Sequence, residues 1–367
     1  MSFYDILQKY KNYDFELLFR EIKDVDIQNA IQSEYLSEKD LIALLSPQAS
    51  AYLEDMARKA MDLTIRNFGK VVHLYAPLYV SNFCENECLY CGFKHSNPIK
   101  RRKLDLPEVK KEAEILASTG IKHVLLLTGE SREISSPSYI KDCIGILKDS
   151  FSSVSMEIYP LLTEEYGELV KEGLDGLVVY QETYDEQLYS KLHRNGPKKD
   201  FRFRLETPER VCSNNIRSVS IGALLGLSEP AKECFLMLMH AAYLQDTFRD
   251  VEVSVSFPRI QPQVGGFKPL YIVTDADLVR LILAARLFMP RIGINMSTRE
   301  KNDLRMNLIG LGVTRVSAGS STEVGGYSAV NPTDGQFNIA DTTSVEKMKE
   351  CIRAKGFQPV MKDWDHY

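Results

Sequence analysis

Beyond residue 70 the chain alternates eight short, apolar, β-rich runs with stretches patterned as amphipathic helices. The runs are 71–81, 123–129, 154–160, 176–182, 219–227, 251–259, 293–298 and 315–319. The helical stretches are 106–119, 137–148, 164–172, 208–214, 230–245, 275–288 and 300–311, with a last one at 344–355. Strands that are apolar almost throughout are buried on both faces, the habit of parallel sheets covered by helices. Eight strand–helix units are the count that closes a (β/α)8 barrel. The expected fold class is therefore α/β, a TIM-type barrel.

Residues 1–70 read as helices. Leu53, Met56, Ala57, Ala60, Met61, Leu63 and Ile65 recur at helical spacing, and Asn67-Phe68-Gly69 closes that segment. The expected organisation is an N-terminal helical extension over 1–70, the barrel over 71–341, and a C-terminal helix and tail over 342–367. Lys and Arg number 45 against 50 Asp and Glu, a net charge of −5 that disfavours a general nucleic-acid binder. The basic run Lys100-Arg101-Arg102-Lys103 is then expected to be a solvated loop. His240, in an apolar helix, reads as a core or surface histidine rather than a ligand. No apolar run reaches the roughly 18–20 residues that cross a bilayer. The N-terminus mixes acids and bases without a continuous apolar core, unlike a signal or transit peptide. The expectation is a cytoplasmic protein with neither membrane nor nucleic acid as partner.

Barrel enzymes build their sites at the C-terminal ends of the strands, and here those ends are polar. The first run leads into three cysteines. The others reach Thr128-Gly129-Glu130, Glu157-Ile158-Tyr159, Gln181-Glu182-Thr183, Gly222-Ala223-Leu224, Phe257-Pro258-Arg259, Thr298-Arg299-Glu300 and Ser317-Ala318-Gly319. Cys84, Cys88 and Cys91 are spaced C-x3-C-x2-C, while the other four of the seven cysteines are scattered, which is no disulfide scaffold. Thiolates are soft ligands that suit iron–sulfur clusters or zinc. Zinc usually takes four ligands, and His95 is the neighbour that could complete such a set. Three buried free cysteines are the bland alternative. On a cluster, three thiolates leave one coordination position open to a reactant.

The triplet, with Tyr90 before its third cysteine, resembles the motif of the radical SAM superfamily. Ala76-Pro77-Leu78-Tyr79-Val80-Ser81-Asn82 before it and Gly92-Phe93 after it resemble the aromatic amino acid lyases within that superfamily. Tyr180-Gln181-Glu182-Thr183-Tyr184, Arg204-Leu205-Glu206-Thr207-Pro208, Ser254-Val255-Ser256-Phe257-Pro258-Arg259, Ser297-Thr298-Arg299-Glu300 and Lys362-Asp363-Trp364-Asp365 extend the resemblance along the chain. They are most similar to the 2-iminoacetate synthases, the tyrosine lyases of thiamine biosynthesis. A sibling lyase carries three further clustered cysteines for a second cluster. Here the one late cysteine is Cys351, which favours the imine product.

The resemblance implies a radical SAM barrel and a carbon–carbon lyase. A 4Fe-4S cluster would sit on Cys84, Cys88 and Cys91, with S-adenosyl-L-methionine (SAM) on its open iron. Tyr90 and Gly222 would approach the adenine, Gly129 and Glu130 the methionyl ammonium, and Arg204 the methionyl carboxylate. Gln181 and Thr183 lie two apart on a strand, so period two puts them on one face with Glu182 turned away; the resemblance gives that face to the ribose. Arg299 would hold the carboxylate of L-tyrosine, Ser317 would help fix its polar end, and Tyr79 would line the pocket near its amine. The implied reaction removes a hydrogen from the tyrosine amine and breaks Cα–Cβ, giving p-cresol and 2-iminoacetate. The implied partners are a thiazole synthase subunit, to which the imine passes, and a reductase or flavodoxin-type electron donor.

Overall fold

The computed structural model describes residues 2–328 and 333–362. Eight parallel strands form the barrel: β1 (Val71–Ser81), β2 (His123–Thr128), β3 (Ser153–Glu157), β4 (Gly176–Glu182), β5 (Ser218–Ala223), β6 (Glu252–Ser256), β7 (Gly293–Met296) and β8 (Arg315–Ser317). Each pairs with the next. β8 returns to β1, where Arg315, Val316 and Ser317 lie opposite His73, Leu74 and Tyr75. The expected closed barrel is the observed one. Several runs extend past their strands, because the apolar signal continues into buried strand-end loops such as Leu224–Leu227.

A ninth strand, β9 (Gln358–Val360), pairs with Val71, Val72 and His73 of β1. Its three residues include a proline, so no sequence pattern announced it. Two helices were likewise unannounced: Glu186–Leu192, capped by Asp185, and the single turn Phe201–Leu205, capped by Asp200. Both are too short to show a helical period. Asp363, Trp364 and Asp365 lie outside the described residues. Among the described residues, no helix is long and apolar enough to cross a membrane.

The helices ahead of β1 wrap one flank of the barrel. Phe3 is fully buried and stacks on His240 of the helix Pro230–Thr247, with ring centroids 4.1 Å apart. His240 is a core residue whose Nδ1 meets the Tyr184 hydroxyl at 3.1 Å, and burial pulls its pKa down to about 3.

The segment after β8 crosses back over the mouth. Tyr327 donates its hydroxyl to the carbonyl of Pro77 on β1 at 2.6 Å, and the Glu112 carboxylate accepts from the backbone N–H of Tyr327 and Ser328. Asp341 pairs with Arg305 of the helix Asn302–Leu308, and both side chains are buried. Arg305 also donates to the carbonyl of Ser317, so one guanidinium joins β8, the helix before it and the returning segment. Removing one member of a buried pair strands the other charge. We expect Asp341→Ala to cost about 3–5 kcal/mol of stability in denaturant unfolding. The apolar double variant Arg305→Met/Asp341→Leu should lose less.

Candidate active site

β1 ends at Ser81, and the cysteine loop that follows has almost no regular structure of its own. Its backbone is fixed from outside. Glu87 and Leu89 donate N–H groups to the carbonyls of Asn195 and Leu192, Glu85 to that of Glu130, and Gly92 to that of Gln336. Gly129 sits so close that a Cβ there would collide with the carbonyl oxygen of Phe83, the residue before Cys84. Arg101 folds over the loop. Its guanidinium donates to the carbonyls of Asn82, Phe93 and Lys94 at 2.6–2.9 Å and to that of His95 at 3.2 Å. The basic run is therefore not simply a solvated face: Arg102 pairs with Glu108 and Lys103 lies over the Tyr139 ring.

Tyr90 is held by His193. The Tyr189 carbonyl, 2.7 Å from His193 Nδ1, can only accept, so Nδ1 carries the proton. Nε2 then accepts from the Tyr90 hydroxyl at 2.6 Å. Burial, with the nearby Lys198, lowers the His193 pKa to about 3, in keeping with that neutral form.

Inside the mouth a cavity is lined by Tyr90, Cys91, Glu157, Tyr180, Glu182, Lys198, Leu224, Arg299, Gln336 and Phe337, among others. Strands β3, β4 and β7, the cysteine loop and the returning segment thus meet at one place. Lys198 pairs with Glu182 at 2.6 Å, and Arg204 lies 3.7 Å from the same carboxylate. Burial alone would raise the Glu182 carboxyl, but Lys198 and Arg204 outweigh it and hold it below the usual carboxylate range. Arg299 stacks on Phe337, its guanidinium carbon 3.4 Å from the ring centroid. Its side chain also reaches the carbonyl of Arg259 at 3.5 Å. Glu300 is taken by Arg259, leaving Arg299 without a carboxylate partner among the described residues.

The period-two expectation for β4 fails at its end. Glu182 has φ of 72° and the β4–β5 register slips between Tyr180 and Glu182. A left-handed residue resets the alternation. Glu182 consequently lines the cavity, while Thr183 donates its hydroxyl to Glu233 at 2.6 Å, toward the helix Pro230–Thr247. Gln181 is buried with both amide atoms unpartnered. Gly222 does not leave room for a ligand, because the Tyr180 ring fills the space a Cβ would occupy. Ser317 does not face the cavity; its hydroxyl accepts the N–H of Thr298 at 3.1 Å and steadies the turn that carries Arg299. Tyr79 donates to Gln336 Oε1 at 2.8 Å. Glu130 accepts from Asn86 at 2.6 Å; burial raises its carboxyl, and Arg204 opposes that shift. Lys198, His193 and Gln336 were not singled out in the sequence, and Arg101 was named there only within a basic run expected to be solvated. They lie in loops, where periodicity says nothing; Glu157 was visible there only as a strand end.

The three thiols suit a cluster better than a zinc ion. Burial pushes the Cys88 thiol well up, and Cys91 and Cys84 push it further, while Lys198 opposes them. Crowded thiols with these shifts are stabilised as thiolates only by a cationic group such as iron. The amides of Asn86 and Gln336 reach Cys84 Sγ and Cys91 Sγ at 3.7 Å each, hydrogen bonds of the kind that tune cluster sulfurs. His95 is turned to the Cys84 carbonyl, at 3.1 Å. Among the described residues, no three His, Cys, Asp or Glu side chains are gathered as one metal ion requires. A cluster makes a different demand, since each cysteine binds a separate iron.

Residues 78–239 match the model of the radical SAM superfamily, and residues 256–358 that of the biotin and thiamin synthesis associated domain. The chain is 42% identical to the 2-iminoacetate synthase of Escherichia coli over 93% of its own length and 91% of that protein's. The 2-iminoacetate synthase of Salmonella typhimurium is 41% identical over the same shares. Among solved structures, the [FeFe]-hydrogenase maturase HydG of Carboxydothermus hydrogenoformans superposes with a TM-score of 0.86 at 30% identity, covering 98% of this chain and 82% of that one.

Arg101 gives this site its test. Arg101→Ala is expected to leave the barrel folded by circular dichroism but to lower iron and sulfide retained after anaerobic reconstitution severalfold. Arg101→Lys should recover little of it, because an ammonium lacks the planar fork that reaches several carbonyls at once.

Proposed function

The chain belongs to the 2-iminoacetate synthase family of radical SAM enzymes, and we propose that its barrel mouth cleaves the Cα–Cβ bond of L-tyrosine to 2-iminoacetate and p-cresol. The imine would feed thiazole formation in thiamine biosynthesis. The observation that carries this reading is Arg299: a guanidinium without a carboxylate partner among the described residues, stacked on Phe337 and facing a cavity that Cys91 also lines. An α-amino acid brings the missing carboxylate. The planar fork binds it with two parallel bonds and fixes which end of the substrate faces the cysteine loop.

Cys84, Cys88 and Cys91 would hold the 4Fe-4S cluster, and SAM would lie between the cysteine loop and β4. When bound, the two supply a carbon-centred radical able to remove a hydrogen atom. Arg204, anchored through Nε to the carbonyl of Tyr180 at 2.7 Å, would hold the methionyl carboxylate with its terminal nitrogens. Glu130 and the backbone at Gly129 would take the methionyl ammonium. Tyr90, locked by His193, fixes the backbone beside the adenine. The unpartnered amide of Gln181 supports the ribose role, whereas Thr183 acts through Glu233. Gly222 serves by admitting the Tyr180 ring, Ser317 by holding the turn of Arg299, and Tyr79 by lining the amine end. We assign residues 1–70 to a covering extension, 71–341 to the catalytic barrel and 342–367 to a C-terminal helix and tail. A cytoplasmic setting, a thiazole synthase subunit that receives the readily hydrolysed imine, and a flavodoxin-type reductant complete the proposal.

The test is a product assay. Protein reconstituted without oxygen should carry about four iron and four sulfide rather than one zinc. With SAM and a reductant it should convert tyrosine, and not tryptophan, to p-cresol with 5′-deoxyadenosine. Deoxyadenosine without p-cresol would overturn the substrate. Arg299→Ala should lower kcat/KM for p-cresol by about 2–5 kcal/mol, roughly 30- to several-thousand-fold, while uncoupled deoxyadenosine formation persists.

A further inference from the structure

Glu157 ends β3 and lines the same cavity as Arg299. No hydrogen bond or ion pair reaches its carboxylate among the described residues. The neighbouring Glu182, by contrast, is paired with Lys198 and lies close to Arg204. Glu300 is paired with Arg259, and Glu130 accepts from Asn86. Among the described residues, Glu157 is thus the acid lining this cavity that has no partner, just as Arg299 is the cation lining it that has no carboxylate partner. Glu157 is half-buried; a carboxylate partly withdrawn from water and given no partner is costly, and proteins keep such groups where a ligand supplies the partner. An unpaired anion and an unpaired cation in one cavity are the complement of a zwitterion.

Resting on the tyrosine reading above, we propose that Glu157 receives the α-ammonium of the substrate and takes one proton from it, while Arg299 receives the carboxylate. The step is a proton transfer alone: one N–H bond of the ammonium breaks, the Glu157 carboxylate becomes a carboxylic acid, and the amine becomes neutral with its lone pair free. No electron moves and no further reactant is needed. Loss of a hydrogen atom from the neutral amine then leaves a nitrogen radical. Cleavage of the adjacent Cα–Cβ bond converts that radical directly to the C=N of the imine. An ammonium cannot follow this course, since its nitrogen has no lone pair to share with the radical centre.

The surroundings suit a base at neutral pH. Burial, with the charge of Glu182, raises the Glu157 carboxyl to about 7, against the pull of Arg299, Arg204 and Lys198. The phenols of Tyr75 and Tyr79 from β1 and Tyr180 from β4 also face it, and burial raises all three, so none competes as a base in this range. Lys198 is spoken for by Glu182. The base must be ionised to act. Activity carried by Glu157 is therefore full above its pKa and falls as the pH drops through it.

The test compares wild type with the isosteric Glu157→Gln and the shorter Glu157→Asp. Wild type must first form p-cresol from tyrosine; if it does not, the tyrosine reading fails before Glu157 is reached. Given that, Glu157→Gln should keep its iron, its SAM binding and its uncoupled deoxyadenosine, and lose p-cresol formation at least about 100-fold, the scale of a lost acid–base group. The acidic limb of kcat/KM for tyrosine, falling below about pH 7 in wild type, should vanish from the residual activity. Glu157→Asp should recover part of the rate together with that limb. 3-(4-Hydroxyphenyl)propanoate, which has the carboxylate and phenol but no amine, should inhibit Glu157→Gln as well as wild type, or better. p-Cresol formation within a few-fold of wild type, an unchanged acidic limb, or an equal loss of affinity for the amine-free acid would each overturn the assignment.

Discussion

A loop that carries three thiols and almost no secondary structure can keep them in place only if its backbone is held by its neighbours. Everything at the mouth serves that constraint. Arg101 ties four carbonyls around the loop, Gly129 lets β2 approach Phe83, and the strand of chain around Leu192 and Asn195 supplies carbonyls to Leu89 and Glu87. The barrel contributes rigidity, because closed parallel strands have no edge along which to yield. The loop borrows that rigidity through these hydrogen bonds and through the packing of Cys88, Tyr90 and Phe93. Single polar substitutions can therefore matter there as much as apolar ones do in the core.

The charges are arranged on the same economy. Buried acids and bases around the mouth are matched: Glu182 with Lys198 and Arg204, Glu300 with Arg259, Asp341 with Arg305. Matching them removes the cost of burial and leaves them chemically silent. Glu157 and Arg299 stay unmatched among the described residues, so in our proposal the substrate is recognised by what the site lacks. Preorganised charges of this kind need no rearrangement at the moment of binding.

The fold was legible because parallel strands buried on both faces leave near-continuous apolar runs, and eight runs have few ways to arrange themselves. The cysteine spacing and Arg299 were legible for a related reason, since the C-terminal strand ends of a barrel gather at one mouth, although Ser317 and Thr183 there turn to protein partners instead. What escaped the sequence had no periodic signature. The left-handed turn at Glu182 exchanged the expected faces of Glu182 and Thr183, and nothing in a non-glycine residue announces positive φ. Arg101 looked like a solvated charge because a side chain's acceptors, when they are backbone carbonyls, leave no mark in composition. His193, Lys198 and Gln336 come from connecting segments, and β9 is too short to carry a pattern.

The contact between Gln336 and Cys91 joins residues 245 positions apart. Chains grow N-terminus first at about 5–20 residues per second, so the cysteine loop emerges roughly 12–50 s before the segment that closes over it. During that interval the thiols stand open to oxidants and to any passing soft metal, without the amide that later caps Cys91. The order of synthesis thus leaves a window in which the nascent loop is accessible and unguarded. A cell making this protein gains by keeping its thiols reduced until the final third of the chain has folded across the mouth.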